Sequence, residues 1–281
     1  MNSYSDAPTG AAASRGAEQP AQALVAGLYV VVLALNEAHR LPQCLHSAAF
    51  AEKVIVIDSG STDDTVAVAR ACGAQVHVHA DWQGFAAQRN RALAYCHDAR
   101  YVFFLDADEL IAPELRAEIT AIVQSGVKAA WVAHWNYIAF GTPLTRMNST
   151  RGVERFFHVD ALKGFEGAVH EHAVLSEHTD ARQLKHRLLH HSYESVHGGL
   201  KKLSQYAMLG AAKHRERGER GGVLRGLASA LAVFVRLYFF KRGFLHGGPG
   251  FLFCYFLAQE RFFRYAALHY DRDNLTETIR R

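Results

Sequence analysis

The feature that most constrains this chain is an alternation, beginning at Leu28, of short β-branched apolar runs with amphipathic segments. Residues 28–35 read as a strand and a helix follows near 39–49; a strand at 53–57 precedes a helix near 62–72. The rhythm continues with a strand at 75–79, a helix near 85–97, a strand at 101–105 and a helix near 113–124 that opens on Pro113, where a missing N–H costs nothing. Strands joined by helices predict a mostly parallel α/β sheet with right-handed crossovers. Ligands of such sheets gather beyond the carboxyl ends of the strands. The residues that follow each strand are therefore the informative ones: Asn36-Glu37 after the first, Asp58-Ser59-Gly60-Ser61 after the second and Asp106-Ala107-Asp108-Glu109 after the fourth.

At 281 residues and 49% hydrophobic, the chain can bury one large core with a substantial extension. Its formal net charge of +4 is too small to argue for nucleic acid and is compatible with an anionic substrate or a lipid surface. Cys44, Cys72, Cys96 and Cys254 are widely spaced, three of them in apolar helical patterns, which fits reduced thiols in the cytoplasm. Residues 1–26 are rich in Ala, Ser, Gly and Pro and lack a basic start followed by an apolar run; they read as a disordered tail rather than a secretion signal. Beyond about Gly126, strand-like aromatic pieces appear at 130–140, 155–159 and 166–174. Residues 27–195 thus form the expected catalytic domain and 196–281 a helical extension.

Within that extension, a charged stretch at 213–220 precedes two apolar-aromatic segments, 223–240 and 251–268. Every run of 18 apolar residues is broken by a charge or a glycine, which argues against a membrane span. The apolar positions of 223–240 recur at helical spacing and Lys241-Arg242 follow, so this helix either lies in a membrane interface or packs on the catalytic domain. The glycine-rich 243–250 stretch lacks the Lys-Ser/Thr ending of a phosphate-binding loop and reads as a turn.

Asp106 and Asp108 stand two apart at the end of an apolar strand, so their side chains are expected on one face, able to share an ion. A hard cation such as Mg²⁺ or Mn²⁺ takes one or two carboxylates plus substrate phosphates and would neutralise a departing diphosphate. The same residues also suit an acidic turn that caps the next helix. In Asp58-Ser-Gly-Ser-Thr-Asp63, a strand-end carboxylate precedes a turn expected to open a helix at Thr62, with Asp64 in its first turn. Six histidines, at 170, 172, 178, 186, 190 and 191, cluster without cysteine or His-Glu-x-x-His spacing, which argues against structural zinc.

Taken with Trp82-Gln-Gly-Phe-Ala-Ala-Gln-Arg-Asn-Arg-Ala-Leu93, Ala34-Leu-Asn-Glu37 and Val169-His-Glu171, these motifs resemble family 2 glycosyltransferases of the GT-A fold. The resemblance is to the lipopolysaccharide-core β-glucosyltransferases of Gram-negative bacteria and runs from about Tyr29 to the C terminus. It implies that Asn36, Glu37 and Asp58 contact the nucleoside of a sugar-nucleotide donor, that Asp106 lies near ribose and diphosphate, and that Asp108 holds Mg²⁺ or Mn²⁺. Arg89 is then a candidate phosphate contact, with a solvated helix face as the alternative, and His190 a candidate to complete the metal shell. Inverting transfer needs a base for the acceptor hydroxyl; Glu171 is the candidate and Glu166 its competitor. The implied setting is the cytoplasmic face of the bacterial inner membrane, with UDP-glucose as donor and a lipid-linked saccharide as acceptor. The rivals are a sugar-nucleotide nucleotidyltransferase, which needs a Gly-rich basic loop where Ala34-Leu-Asn-Glu37 stands, and a binding protein that has lost turnover.

Overall fold

The structure, a computed structural model, describes residues 23–148, 151–167 and 171–275. In chain order the strands are β1 Val25–Ala34, β2 Ala51–Asp58, β3 Gln75–Val78, β4 Tyr101–Asp106, β5 Glu109–Leu110, β6 Ala130–Ala133, β7 Trp135–Ala139, β8 Thr142–Pro143, β9 Val153–His158, β10 Leu162–Glu166, β11 His172–Leu175, β12 Ala181–Gln183 and β13 Leu188–Tyr193. The helices are α1 Leu41–Ala48, α2 Thr65–Ala71, α3 Phe85–Leu93, α4 Pro113–Ser125, α5 Val196–Glu216, α6 Val223–Val235 and α7 Gly247–Tyr270.

The main sheet has the order β12-β6-β9-β4-β1-β2-β3. Its centre, β4-β1-β2-β3, is parallel throughout, while β9 runs antiparallel between β4 and β6. The alternation of side chains across β1 builds two cores. Leu28, Val30 and Val32 face Leu41 and Leu45 of α1 and Leu115 and Ile119 of α4. Tyr29 and Val31 face Ala92 of α3 together with Phe104, Phe157 and Phe165. Residues 28–32 are at most 1% exposed, as expected of a parallel strand covered on both faces, which is why β1 reads as a continuous apolar run. Pro113 opens α4 and Gly126, at φ +67°, closes it in the left-handed conformation that a residue without Cβ adopts freely.

Four expectations change. The apolar run 130–140 is two strands in different sheets: β6 joins the main sheet, whereas β7 joins a second one of order β5-β13-β7-β8. The 166–174 strand is the β10-β11 hairpin, with residues 168–170 outside the described residues. Helix α2 starts at Thr65 rather than Thr62 because Asn36 and Asp63 draw the preceding residues into a turn, leaving Asp64 at the N-cap. The first strand begins at Val25, inside the stretch assigned to the tail, whose residues 1–22 lie outside the described residues.

In the C-terminal region α5 and α6 both pack on α7, and the 243–250 stretch supplies a short 3-10 turn and the first residues of α7 instead of a plain turn. Close approach of α6 to α7 needs a small residue: a Cβ on Gly226 would lie 3.0 Å from the Phe262 carbonyl oxygen. The segment Val223–Phe240 has a mean hydropathy of 1.7, with 6% of it buried, and by length and composition alone it suffices to cross a membrane. Arg225 and Arg236 do not disqualify it on those criteria.

Candidate donor site

The register sets the site. Leu33 of β1 lies opposite Asp106 of β4, and Ala34 opposite Asp58 of β2, so three strand ends and their acidic residues finish on one edge. The loops beyond β1 and β2 interlock. Asn36, at φ +55°, accepts from the Thr62 N–H at 2.8 Å and donates its own N–H to Ser61 Oγ at 2.8 Å, while the Glu37 N–H donates to Thr65 Oγ1 at 2.8 Å. Asp58, 1% exposed, accepts from the N–H groups of Gly60 and Ser61, both at 2.9 Å, and from the Ser61 hydroxyl. Its carboxylate organises the turn, and Gly60 at φ +90° fits where a Cβ would press on Ala80 at 3.0 Å. Glu37 pairs with Arg40 at 2.9 Å, and burial, opposed by that arginine, raises its pKa.

Asp106 and Asp108 take different partners. Strand β4 stops at Asp106 and a turn at Ala107-Asp108 leads into β5, so the alternation that would align the two carboxylates is broken between them. Asp106 is taken by arginines: Arg155 on β9 donates to Oδ1 at 3.0 Å and to Oδ2 at 2.5 Å, and Arg89 on α3 reaches Oδ1 at 3.4 Å. Although burial works against ionisation, these guanidiniums lower the Asp106 pKa. Both carboxylate oxygens of Asp106 thus accept from arginines, while the side chain stays 37% exposed.

Asp108 faces the other way. Its Oδ2 lies 3.2 Å from His190 Nε2 and 3.3 Å from Lys202 Nζ. Burial opposes the charge, but the His190 hydrogen bond and charge and the Lys202 ammonium outweigh it and hold the carboxyl well below the usual range. Burial likewise lowers the His190 pKa and Asp108 more than restores it, for a net rise. The position of His190 follows from β13, which pairs antiparallel with β5 so that His190 stands opposite Glu109, and the His191 N–H donates to the Asp108 carbonyl at 2.9 Å.

Arg89 is 4% exposed, not a solvated helix-face charge. Its guanidinium lies 5.2 Å from the Phe104 ring and 5.6 Å from the Phe165 ring, and reaches Glu171 Oε1 at 3.8 Å. Burial, with Arg155 nearby, lowers its pKa to about 10. Arg89 thus joins Asp106 to Glu171 rather than facing solvent. Glu171 is half-buried, its competitor Glu166 is exposed at the end of β10, and Val169 and His170 lie outside the described residues.

Three residues of this site escape sequence reasoning. Glu109 is 2% exposed, accepts from Trp135 Nε1 at 2.5 Å and from the Asp106 N–H at 3.0 Å, and burial with the neighbouring Asp106 raises its pKa to about 7. Arg155 carried one signal, a lone cation inside the aromatic strand Val-Glu-Arg-Phe-Phe-His. Lys202 carried none: it is one of several lysines on a helix, 94 residues from its carboxylate. Among the other histidines, His186 pairs with Glu118 at 3.0 Å, away from Asp108. Among the described residues, no three His, Cys, Asp or Glu side chains gather as a ready-made metal cage. The Asp108-His190 pair instead offers one hard oxygen and one imidazole nitrogen, a donor set that fits a Mg²⁺ or Mn²⁺ ion that completes its shell from a substrate.

A sequence model described as glycosyl transferase family 2 matches residues 29–174. An uncharacterized glycosyltransferase of Rickettsia felis is 28% identical over 255 residues, covering 84% of this chain and 87% of that protein. The lipopolysaccharide core biosynthesis glycosyltransferase LpsC of Rhizobium meliloti is 24% identical over 253 residues, covering 85% and 93% respectively. Among solved structures, a Staphylococcus aureus TarS chain is similar at a TM-score of 0.43 and 15% identity, covering 65% of this chain and 64% of that one. The mixed, mostly parallel sheet with flanking helices and a helical C-terminal region is the GT-A architecture that the motifs implied. Because the family match spans more than half of its length, the chain belongs to glycosyl transferase family 2.

Proposed function

We propose that the chain is an inverting, metal-dependent hexosyltransferase that moves glucose from UDP-glucose to a lipid-linked saccharide such as the lipopolysaccharide inner core. The observation that carries this reading is the Asp108-His190 pair at the strand-end edge, beside the interlocked loops that hold Asn36, Glu37 and Asp58. The saccharide class is supported by the likeness to LpsC. Asp108 and His190 would hold the divalent cation, which when bound supplies Lewis-acid neutralisation of the leaving diphosphate. Glu171 accepts the proton of the acceptor hydroxyl, and its ion pair with Arg89 orients it toward the donor edge. The paired Asp106 and Arg155 fix the floor on which ribose and diphosphate sit.

The test is thermal stabilisation by UDP, UDP-glucose, GDP-mannose and ADP-heptose, each with and without Mn²⁺, since a ligand of the native state raises its apparent stability. A metal-dependent shift with the uridine compounds is expected, and Glu171→Gln should keep that shift while transfer falls about 100-fold or more. No shift with any compound would favour a binding protein without turnover, and unchanged transfer in Glu171→Gln would move the base to Glu166 or elsewhere.

The acceptor reading places the protein at the cytoplasmic face of the inner membrane. Leu224, Leu231 and Phe240 are 82, 65 and 79% exposed, and Arg225, Arg236, Lys241 and Arg242 are exposed on the same segment, which suits an interface of acyl chains and anionic headgroups. Changing Leu224, Leu231 and Phe240 together to serine should release the full chain from anionic liposomes in a flotation assay without lowering its melting temperature. Undiminished flotation would remove the membrane assignment.

A further inference from the structure

Lys202 lies on α5, in the helical region that follows the sheets, yet its ammonium sits at the donor site. Its Nζ is 3.3 Å from Asp108 Oδ2 and 3.1 Å from the Ser192 carbonyl oxygen. The helix is fixed at its start by Ser195, whose Oγ accepts from the Gly198 N–H at 3.0 Å, so the lysine stem has a rigid base. The ammonium does not: the side chain is 28% exposed and its four-carbon stem is flexible. The other strong cations nearby differ in this respect, Arg40 being paired with Glu37 at 2.9 Å and with Glu194 at 3.1 Å. Arg89 and Arg155 are nine-tenths or more buried and committed to Asp106.

We propose that Lys202 is the mobile cation of the donor site, holding Asp108 in the absence of a divalent cation and serving the donor diphosphate once Asp108 is engaged by one. The proposal rests on the reading of Asp108 as the metal carboxylate. A divalent ion bound at Asp108 Oδ2 would lie close to the ammonium 3.3 Å from that oxygen and repel it more strongly than the single charge of His190 does, so the ion displaces the ammonium. A sugar-nucleotide diphosphate carries a formal charge on each phosphate and gains another when the sugar leaves. One divalent ion, partly neutralised by Asp108, does not balance that extra charge, and Lys202 is the cation with the freedom to do so. The helical region thereby contributes a donor-binding residue and is part of the site, not only an appendage to it.

The experiment titrates Mn²⁺ alone, and then UDP at saturating Mn²⁺, into the wild-type full-length chain and into Lys202→Met and Lys202→Arg by calorimetry. Lys202→Met removes the competitor, so its Mn²⁺ affinity should rise about tenfold while its UDP affinity falls about tenfold. Lys202→Arg keeps the charge and should restore UDP affinity to within about threefold of wild type. Unchanged Mn²⁺ and UDP affinities in Lys202→Met overturn the proposal alone. An arginine variant as weak for UDP as the methionine one overturns the role of the charge. A wild-type chain that binds no Mn²⁺ even with UDP present overturns the metal reading, and this proposal with it. A melting curve for each variant separates these outcomes from misfolding, which the partial exposure of Lys202 makes a minor concern.

Discussion

Asp108→Ala is expected to abolish Mn²⁺ binding and lower sugar transfer by about 10³-fold or more, while the melting temperature falls by only a few degrees. The two halves of that result have different causes. Asp108 is the carboxylate beside His190 and is not committed to an arginine, so without it His190 alone cannot retain a hard cation. Loss of an electrostatic stabiliser of the leaving group costs on the order of 10²–10³ in turnover even for one hydrogen-bond donor, and a divalent charge is worth more. Stability changes little because Asp108 sits in a turn after β4, outside both sheet cores. Removing it leaves His190 free to lose its proton and Lys202 free to reach water. Transfer rates measured with and without Mn²⁺, beside a thermal melt, check both halves. Normal activity in the absence of added metal would defeat the assignment.

Arg155→Met is expected to do the reverse and damage the fold more than any single change to Asp108. Arg155 is 7% exposed, makes two hydrogen bonds to Asp106, lies 3.7 Å from Glu109 Oε1 and has its guanidinium 5.8 Å from the Trp135 ring. Burying such a group is worthwhile only because each charge compensates another; taking one away leaves the remainder stranded. Without it, Asp106 keeps only the longer Arg89 contact and the buried Glu109 loses its close guanidinium. Breaking such a pair costs at most about 3–5 kcal/mol, since the Asp106 side chain is 37% exposed and water screens part of the stranded charge. For a chain of this size each kcal/mol shifts the melting temperature by roughly 2–4 °C, so a drop of at most about 6–20 °C is expected by calorimetry. Adding Asp106→Asn to Arg155→Met should recover part of that loss, because the stranded charge is then absent and the two changes are coupled. Simple additivity in the double variant would show that the pair does not act as a unit.

The resemblance already gave the two aspartates of Asp106-Ala-Asp-Glu109 different roles, but the arginine, histidine and lysine partners that set them apart were not legible in the motif. Spacing of two places side chains on one face only while the strand continues, and β4 ends at the first of them. The carboxylates then turn to different partners, one to β9 and the other to β13 and α5. A second failure has the same root. The apolar run 130–140 looks like one strand, but His134 stands between β6 and β7 and the chain passes from one sheet to the other there. Whether a strand-forming segment continues or changes sheet depends on which neighbour offers open backbone groups, and no local pattern encodes that.

By itself the sequence determined the parallel centre of the sheet, the order of its strands and helices, and the edge at which acidic residues collect. Hydrophobic period and turn chemistry act over a few residues, so 28–124 could be read almost element by element. Apart from His190, which the resemblance had set at the metal shell of Asp108, tertiary structure decided which charges meet there. Asp106 finds Arg155 across 49 residues, and Asp108 finds His190 and Lys202 across 82 and 94. A charged side chain looks the same in sequence whether it meets water or a buried partner, and only the packing of β9, β13 and α5 against the strand ends distinguishes the two.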